Sequence, residues 1–243
     1  VIDVSNPSSP VIVGNAATPG GAYDVVVSGT VAYVADEADG LQVFDVFNPA
    51  SPEILGSLNT TSAAYGVTVS GTVAYVAVST SGLQVLDLSN PESPGSLGSV
   101  DTPGEALGIA VSGTTAYIAD SDSGLQVIDV SNPSSPVIVG SFHTPDIAQG
   151  VAVSGTIAYV AGWGSGLQLI DVSNPSSPAF LGSVGTPHAA VTVAVSGTLA
   201  YVADYQAGLQ VIDVSNPASP MIVGSVHTPG PAYGVVVSGA IAY

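Results

Sequence analysis

The chain contains no cysteine, no lysine and no arginine. Without cysteine there are no disulfides, no thiolate catalysis and no Cys-based zinc site. Without cations, the counterion release that drives nucleic-acid binding is missing, so nucleic acid is excluded as a partner. Anionic membrane surfaces repel such a chain. Phosphate clamps built on arginine or lysine, Schiff-base lysines and internal Lys or Arg salt bridges are excluded as well. A trypsin-like protease finds no cleavage site, which suits an extracellular protein. Long apolar runs are also lacking: Gly, Ser, Thr or Pro breaks every one before the roughly 18 residues of a membrane span, so no span is expected. No basic segment followed by an apolar stretch marks a signal peptide. Charged residues make up only 7%, against about 25% in an average soluble chain. The 18 acids leave a formal charge of -18, and the remaining surface must be largely neutral Ser, Thr, Asn, Gln and Gly.

What the chain has instead is a repeat. Asp3, Asp45, Asp87, Asp129, Asp171 and Asp213 are each 42 residues apart, and so are six asparagines from Asn6 to Asn216 and six tyrosines from Tyr33 to Tyr243. One unit, from Gly104, shows four apolar, partly β-branched runs: 106–111, 115–119, 125–130 and 137–142. Ser112-Gly-Thr114, Asp120 to Gly124, Ser131 to Pro136 and Thr144-Pro145 bound them. Such runs between Gly, Pro, Asn and Ser clusters read as strands joined by hairpins. No 3.6-residue stripe exceeds two turns, and 29 Gly and 18 Pro oppose helix throughout. Four antiparallel strands per unit of this length define a propeller blade.

The expected architecture is therefore all-β: a β-propeller of six blades of four antiparallel strands on a 42-residue repeat. Six units would need 252 residues, nine more than the 243 present. The nine correspond to Val34–Gln42 of the first unit. A closed ring of six then shares its last blade between the N- and C-terminal segments, which covers edges that an open array would expose; a cut from a seven- or eight-bladed ring would give the same sequence pattern, and six is the expected count. Residues 1–243 are expected to form a single propeller domain. Because the sequence starts at Val1 in mid-repeat, it reads as a piece of a longer or processed polypeptide, and assembly with other parts of that polypeptide is one expected partnership.

At Leu125-Gln-Val-Ile-Asp129, and again at Leu209-Gln-Val-Ile-Asp213, the chain resembles the LVIVD-repeat family. The Ala-Tyr-Val-Ala-Asp run at 200–204 is similar to the related propeller repeats of surface proteins. The resemblance implies β-propellers of secreted or cell-surface bacterial and archaeal proteins, and brings no catalytic residues with it.

Comparison among the copies separates scaffold from variable positions. Ser-Gly-Thr recurs at 28–30, 70–72, 112–114, 154–156 and 196–198, and the Asn-Pro turn after the third run is nearly as constant. Variation gathers in the loop before the first strand and in the loop between the second and third. In an up-and-down blade these two loops emerge on one face, which becomes the expected binding face. Ten acids map there: Asp24, Asp36, Glu37, Asp39, Asp101, Glu105, Asp120, Asp122, Asp146 and Asp204. All three histidines, His143, His188 and His227, lie in loops before first strands. Trp163 and Tyr205 occupy equivalent positions in consecutive units, and Trp163 stands between Gly162 and Gly164. The six recurring Asp and six recurring Tyr are read as scaffold, accepting hydrogen bonds and packing the core respectively.

The function expected from these features is a rigid interaction module on the extracellular side or cell surface. It would bind protein or carbohydrate through Trp163, Tyr205, His143, His188 and His227, without catalysis or a required cofactor. Two alternatives stand beside it. Asp36, Glu37, Asp39, Asp120 and Asp122 have the oxygen ligands that Ca²⁺ takes, for calcium-dependent adhesion or assembly. A His–Asp pair at the channel mouth would serve a hydrolase or lyase, although no nucleophile elbow, phosphate loop or zinc-protease motif occurs.

Overall fold

The computed structural model describes residues 1–243, with 24 strands and no helix. After a short hairpin of β1 (Ile2–Asp3) and β2 (Val11–Ile12), five four-stranded antiparallel sheets follow in chain order. The first is β3 (Asp24–Ser28), β4 (Val31–Ala35), β5 (Leu41–Asp45) and β6 (Glu53–Leu58). The second is β7 (Ala64–Ser70), β8 (Val73–Val78), β9 (Leu83–Asp87) and β10 (Gly95–Val100). The third comprises β11 (Gly108–Ser112), β12 (Thr115–Ala119), β13 (Leu125–Asp129) and β14 (Val137–Phe142). The fourth comprises β15 (Ala148–Ser154), β16 (Ile157–Gly162), β17 (Gly166–Asp171) and β18 (Ala179–Val184). The fifth comprises β19 (Thr192–Ser196), β20 (Leu199–Ala203), β21 (Leu209–Asp213) and β22 (Met221–Val226). A second hairpin, β23 (Val237–Ser238) and β24 (Ile241–Ala242), ends the chain. These six repeats form a six-bladed β-propeller whose sixth blade comes from the two ends. Its halves remain separate two-stranded sheets, with no ladder between β24 and β1.

The invariant residues act locally. Ser28 pairs with Val31 across a two-residue loop, and Gly29 and its five copies have φ between 59° and 62°. Gly at the first central position of such a hairpin gives a turn whose twist matches the strands. At the opposite corner, Asp129 Oδ1 accepts the Ser131 N–H at 2.8 Å, and the Asn132 carbonyl accepts the Ser135 N–H at 2.9 Å. The same bond to the second residue on recurs at Asp3, Asp45, Asp87, Asp171 and Asp213. All six recurring aspartates are thus turn-formers.

The core lies between blades. In the middle strands nearly every residue is buried, without polar alternation, as in β12 and β13. Each blade is covered on both faces by its neighbours, so both sets of side chains must be apolar. Tyr33, Leu41 and Val43 of the first blade pack on Ala74, Val76 and Leu86 of the second. Three further interfaces repeat this around the ring. On its free side the first blade has only Ala32, Val34 and Phe44 buried together, facing the divided sixth blade. Most of the large exposed apolar residues, including Val1, Ile2, Ile12, Val25, Met221 and Val236, belong to the two ends of the ring.

The carboxylates make the stability depend on pH in two opposing ways. Backbone hydrogen bonds, with help from the following serine hydroxyls, hold Asp3, Asp87, Asp129, Asp171 and Asp213 below the usual range. Their contribution is present above the unfolded value of about 4 and is lost as pH falls through the folded values. Burial raises Asp24 and Asp120 instead, so their folded forms favour the proton and stability is lost as pH rises through their folded values. Protonation also relieves self-repulsion in a chain of charge -18. The melting temperature should therefore rise on mild acidification from pH 8 and then fall below about pH 4. Scanning calorimetry from pH 3 to 8 checks this, and a maximum at pH 8 would contradict it.

Candidate functional site

The first strand of each blade lines the central channel, beginning at the variable face and ending at the Ser-Gly-Thr turn. Equivalent positions therefore form rings around the axis. One ring is Tyr23, Tyr65, Leu107, Gln149, Val191 and Tyr233; the next below it is Asp24, Gly66, Gly108, Gly150, Thr192 and Gly234. All twelve border a cavity of about 650 Å³, together with Glu105 and Trp163 among others. Glycine or threonine at five of the six lower positions leaves Asp24 as the one carboxylate in that ring.

Aromatic rings crowd the mouth. Tyr23 meets Tyr65 edge-on at 4.8 Å, and Tyr205 meets Tyr233 edge-on at 5.4 Å. Trp163 lies 6.0 Å from Tyr205, whose other neighbour is the His188 ring at 5.3 Å. Edge-to-face packing satisfies the ring quadrupoles, yet Tyr23 and Tyr233 remain 63% and 59% exposed and Trp163 39%. Exposed aromatic area of this kind, held in place by its neighbours, is unusual on a chain with so few aromatics.

The electrostatics of the mouth are negative. Asp24 accepts the N–H of Val25 at 2.8 Å and, across to the next blade, that of Val67 at 3.0 Å. It opens on the channel, but protein surrounds it on most sides, and lost hydration raises its carboxyl despite both bonds. Burial likewise raises the Tyr65 phenol, with the charges of Tyr23, Glu37 and Glu105 adding to the effect. Hydrogen bonding with Tyr205 is the main influence that raises the Tyr233 phenol, followed by lost hydration and the nearby Tyr205 and Tyr23.

The two variable loops are braced against each other in each complete blade, by different residues. Asp36, Asp120 and Asp204 accept the N–H of Gly20, Gly104 and His188 at 2.9, 2.9 and 3.1 Å. In the fourth blade Gly162 replaces that aspartate, and Asp146 reaches the other way to the Gly164 N–H at 2.9 Å. In the second, the hydroxyls of Thr80 and Ser62 meet at 3.2 Å. The loop of one blade also joins the next: Ala64 donates to the Glu37 carbonyl at 2.9 Å, Ala190 to Trp163 at 3.1 Å and Ala232 to Tyr205 at 2.8 Å. Tyr205 adopts φ +38° at this junction, a conformation costing about 1–3 kcal/mol for a non-glycine residue that the surroundings must offset. The loops under the aromatics are thus tied by hydrogen bonds within each blade and to the next.

Of the expected binding residues, the structure brings together Trp163, Tyr205 and His188. His143 and His227 are separate: they immediately follow the outermost strands β14 and β22 and are exposed at the rim. No histidine ring is hydrogen-bonded to a carboxylate. The five proposed Ca²⁺ ligands are not gathered either. Asp36 and Asp120 are buried, in blades one and three, and serve as loop braces; Asp120 also accepts the Thr102 hydroxyl at 2.6 Å. Asp122 is exposed, the Glu37 side chain lies by Tyr65, and no three His, Asp or Glu side chains anywhere converge to hold a metal ion. Spacing along the chain put Asp36 and Asp120 on the right face but could not show that they point into it.

Sequence reasoning missed Tyr23, Tyr65 and Tyr233, and did not connect Asp24 and Glu105 with them. The signal was present. Of ten tyrosines, six share one position of the repeat; Tyr23, Tyr65 and Tyr233 share another, at the start of the first strand, and Tyr205 shares that of Trp163, so both sets fall at the channel mouth.

Radial blades around a channel, with an aromatic and acidic mouth on one loop face, define a β-propeller. The LVIVD repeat matches residues 1–18, 19–60, 63–102, 103–144, 146–186 and 188–228, and the chain belongs to the LVIVD repeat family. No curated protein matches it. Among solved structures it is similar to the computationally designed Ika8 protein, at 10% identity and a TM-score of 0.71, over 90% of this chain and 65% of that one. A functionally unknown protein from Desulfotomaculum acetoxidans is similar at 17% identity and a TM-score of 0.73, over 89% of this chain and 75% of that one. This chain thus spans about two thirds to three quarters of the length of the two. The designed Ika4 protein is similar at a TM-score of 0.55 and 11% identity, over 65% of this chain and 94% of its own.

Proposed function

We propose that this propeller is a rigid, non-catalytic binding module of an extracellular or cell-surface protein, and that its ligand sits at the channel mouth on the variable loop face. The observation that carries this reading is that Tyr23, Tyr65, Tyr233 and the only tryptophan line one cavity, with Tyr205 packed against Trp163 and Tyr233 beside it. Only two repeat positions supply them, one at the start of the first strand and one in the loop between the second and third strands, and both face the same mouth. Aromatic residues supply large contact area at low conformational cost, whether to a sugar ring or to a partner's side chain. The braced loops keep the rings in place before the ligand arrives, which reduces the entropy lost on binding.

Glycan and peptide arrays test the proposal, with the wild type beside Trp163→Ala and Tyr23→Ala. Each substitution should weaken captured ligands by about tenfold or more, as expected when a central aromatic is truncated. His227→Ala, at the rim, should leave binding unchanged. Equal binding by wild type and both aromatic variants would remove the channel mouth as the site.

A further inference from the structure

We propose that the channel mouth recognises an organic cation, specifically an alkylated ammonium head group; the inference rests on the binding role assigned above and names its ligand class. The cavity is lined by the residue types such a group requires. Tyr23, Tyr65, Trp163 and Tyr233 border it, as do the carboxylates of Asp24 and Glu105. An aromatic face carries negative charge density, and several of them around one space hold a quaternary ammonium group by cation–π attraction, most strongly where water is excluded. A carboxylate at the base supplies the full opposite charge.

Charge complementarity decides between this ligand and a neutral one. The chain has 18 acids and not one lysine or arginine, so no internal cation competes for the aromatic faces or neutralises the acids. Asp24 is held by two backbone N–H groups and has no cationic partner, and no hydrogen bond engages the Glu105 side chain. A cleft lined by one sign of charge concentrates ions of the other. Neutral sugars gain the stacking and donate hydroxyls to the carboxylates but gain no charge–charge attraction, and anionic ligands are repelled. The head group could belong to a small molecule such as choline or to a methylated lysine on a protein.

Calorimetric titration of the intact chain separates these cases. The probes are choline, its uncharged isostere 3,3-dimethylbutanol, a peptide with trimethyllysine, the same peptide unmodified, and a neutral oligosaccharide. Choline and the trimethyllysine peptide should bind saturably, at least about tenfold more tightly than the uncharged isostere and the unmodified peptide, with affinity falling as salt is added. Whichever of the two binds better identifies the source of the head group. Tyr23→Ala and Trp163→Ala should each cost roughly tenfold. Glu105→Gln, which breaks no hydrogen bond, should weaken choline but not the isostere, and circular dichroism confirms that each variant is folded. Equal affinity for choline and the isostere would overturn the cation assignment. So would binding of the oligosaccharide alone with sensitivity to Trp163→Ala, which would leave the binding module itself intact. Binding of none of the probes, alongside aromatic-independent capture on the arrays, would overturn both.

Discussion

Gly124→Ala should lower the unfolding free energy by about 3 kcal/mol or more, through backbone strain and overpacking together. Gly124 ends the loop between the second and third strands of the third blade with φ +73°, a region that side chains with a Cβ avoid. A Cβ there would also run into the Phe142 carbonyl oxygen and lie 2.6 Å from the Thr144 nitrogen. These are backbone atoms of the outer strand and the following loop, so neither can rotate away. Gly113→Ala provides the control. It has φ +59° but nothing within 4 Å of the added carbon, so only the conformational cost of about 1–2 kcal/mol applies. In a domain of this size the first change should reduce the melting temperature by roughly 6–12 °C and the second by roughly 2–8 °C. Similar losses at both sites would mean that the close packing around Gly124 does not contribute.

Ile128→Ala should cost about 2–5 kcal/mol, and Ile12→Ala within about 0.5 kcal/mol, although the same atoms are removed. Ile128 is fully buried between the second and third blades, in a cluster with Leu83, Val85 and Ile118. Removing its side chain leaves a cavity that two rigid sheets cannot close. Ile12 lies in the N-terminal half-blade and is 75% exposed, so little packing is lost with it. Denaturant melts of the two variants measure the difference. Comparable destabilisation would show that the sixth blade is as firmly packed as the others, contrary to its two separate hairpins and the small cluster of Ala32, Val34 and Phe44 beside it.

Much of the fold was legible because each blade is built from local signals. Ser-Gly-Thr turns, Asp-to-Ser and Asn-Pro turns and β-branched runs specify strands and hairpins without reference to distant residues, and the 42-residue spacing of Asp3, Asp45 and their copies gives the blade count. The facing of the two variable loops was legible for the same reason, since alternate hairpins of one meander emerge together. The site was legible only in part. Trp163, Tyr205 and His188 could be picked out as departures from the repeat. Asp36 and Asp120 depart from it too, but direction separates them from the first group: they turn inward to hold Gly20 and Gly104.

The sequence by itself determined the strand content, the repeat, the scaffold role of the six aspartates and of the repeat tyrosines buried in the first four blades, though not of the exposed Tyr243, and the absence of any lysine or arginine. These are properties of composition and of short segments, where propensity and turn chemistry suffice. The tertiary structure decided which repeat positions face the channel mouth and which loop side chains pack beside them. Tyr23 and Tyr233 lie near opposite ends of the chain and become neighbours because five sheets, each rotated against the last, bring the first and sixth blades around to the same place. The repeat gives them equivalent positions, but strand and turn signals do not bring them close. The ring does, and the aromatic and acidic mouth is its consequence.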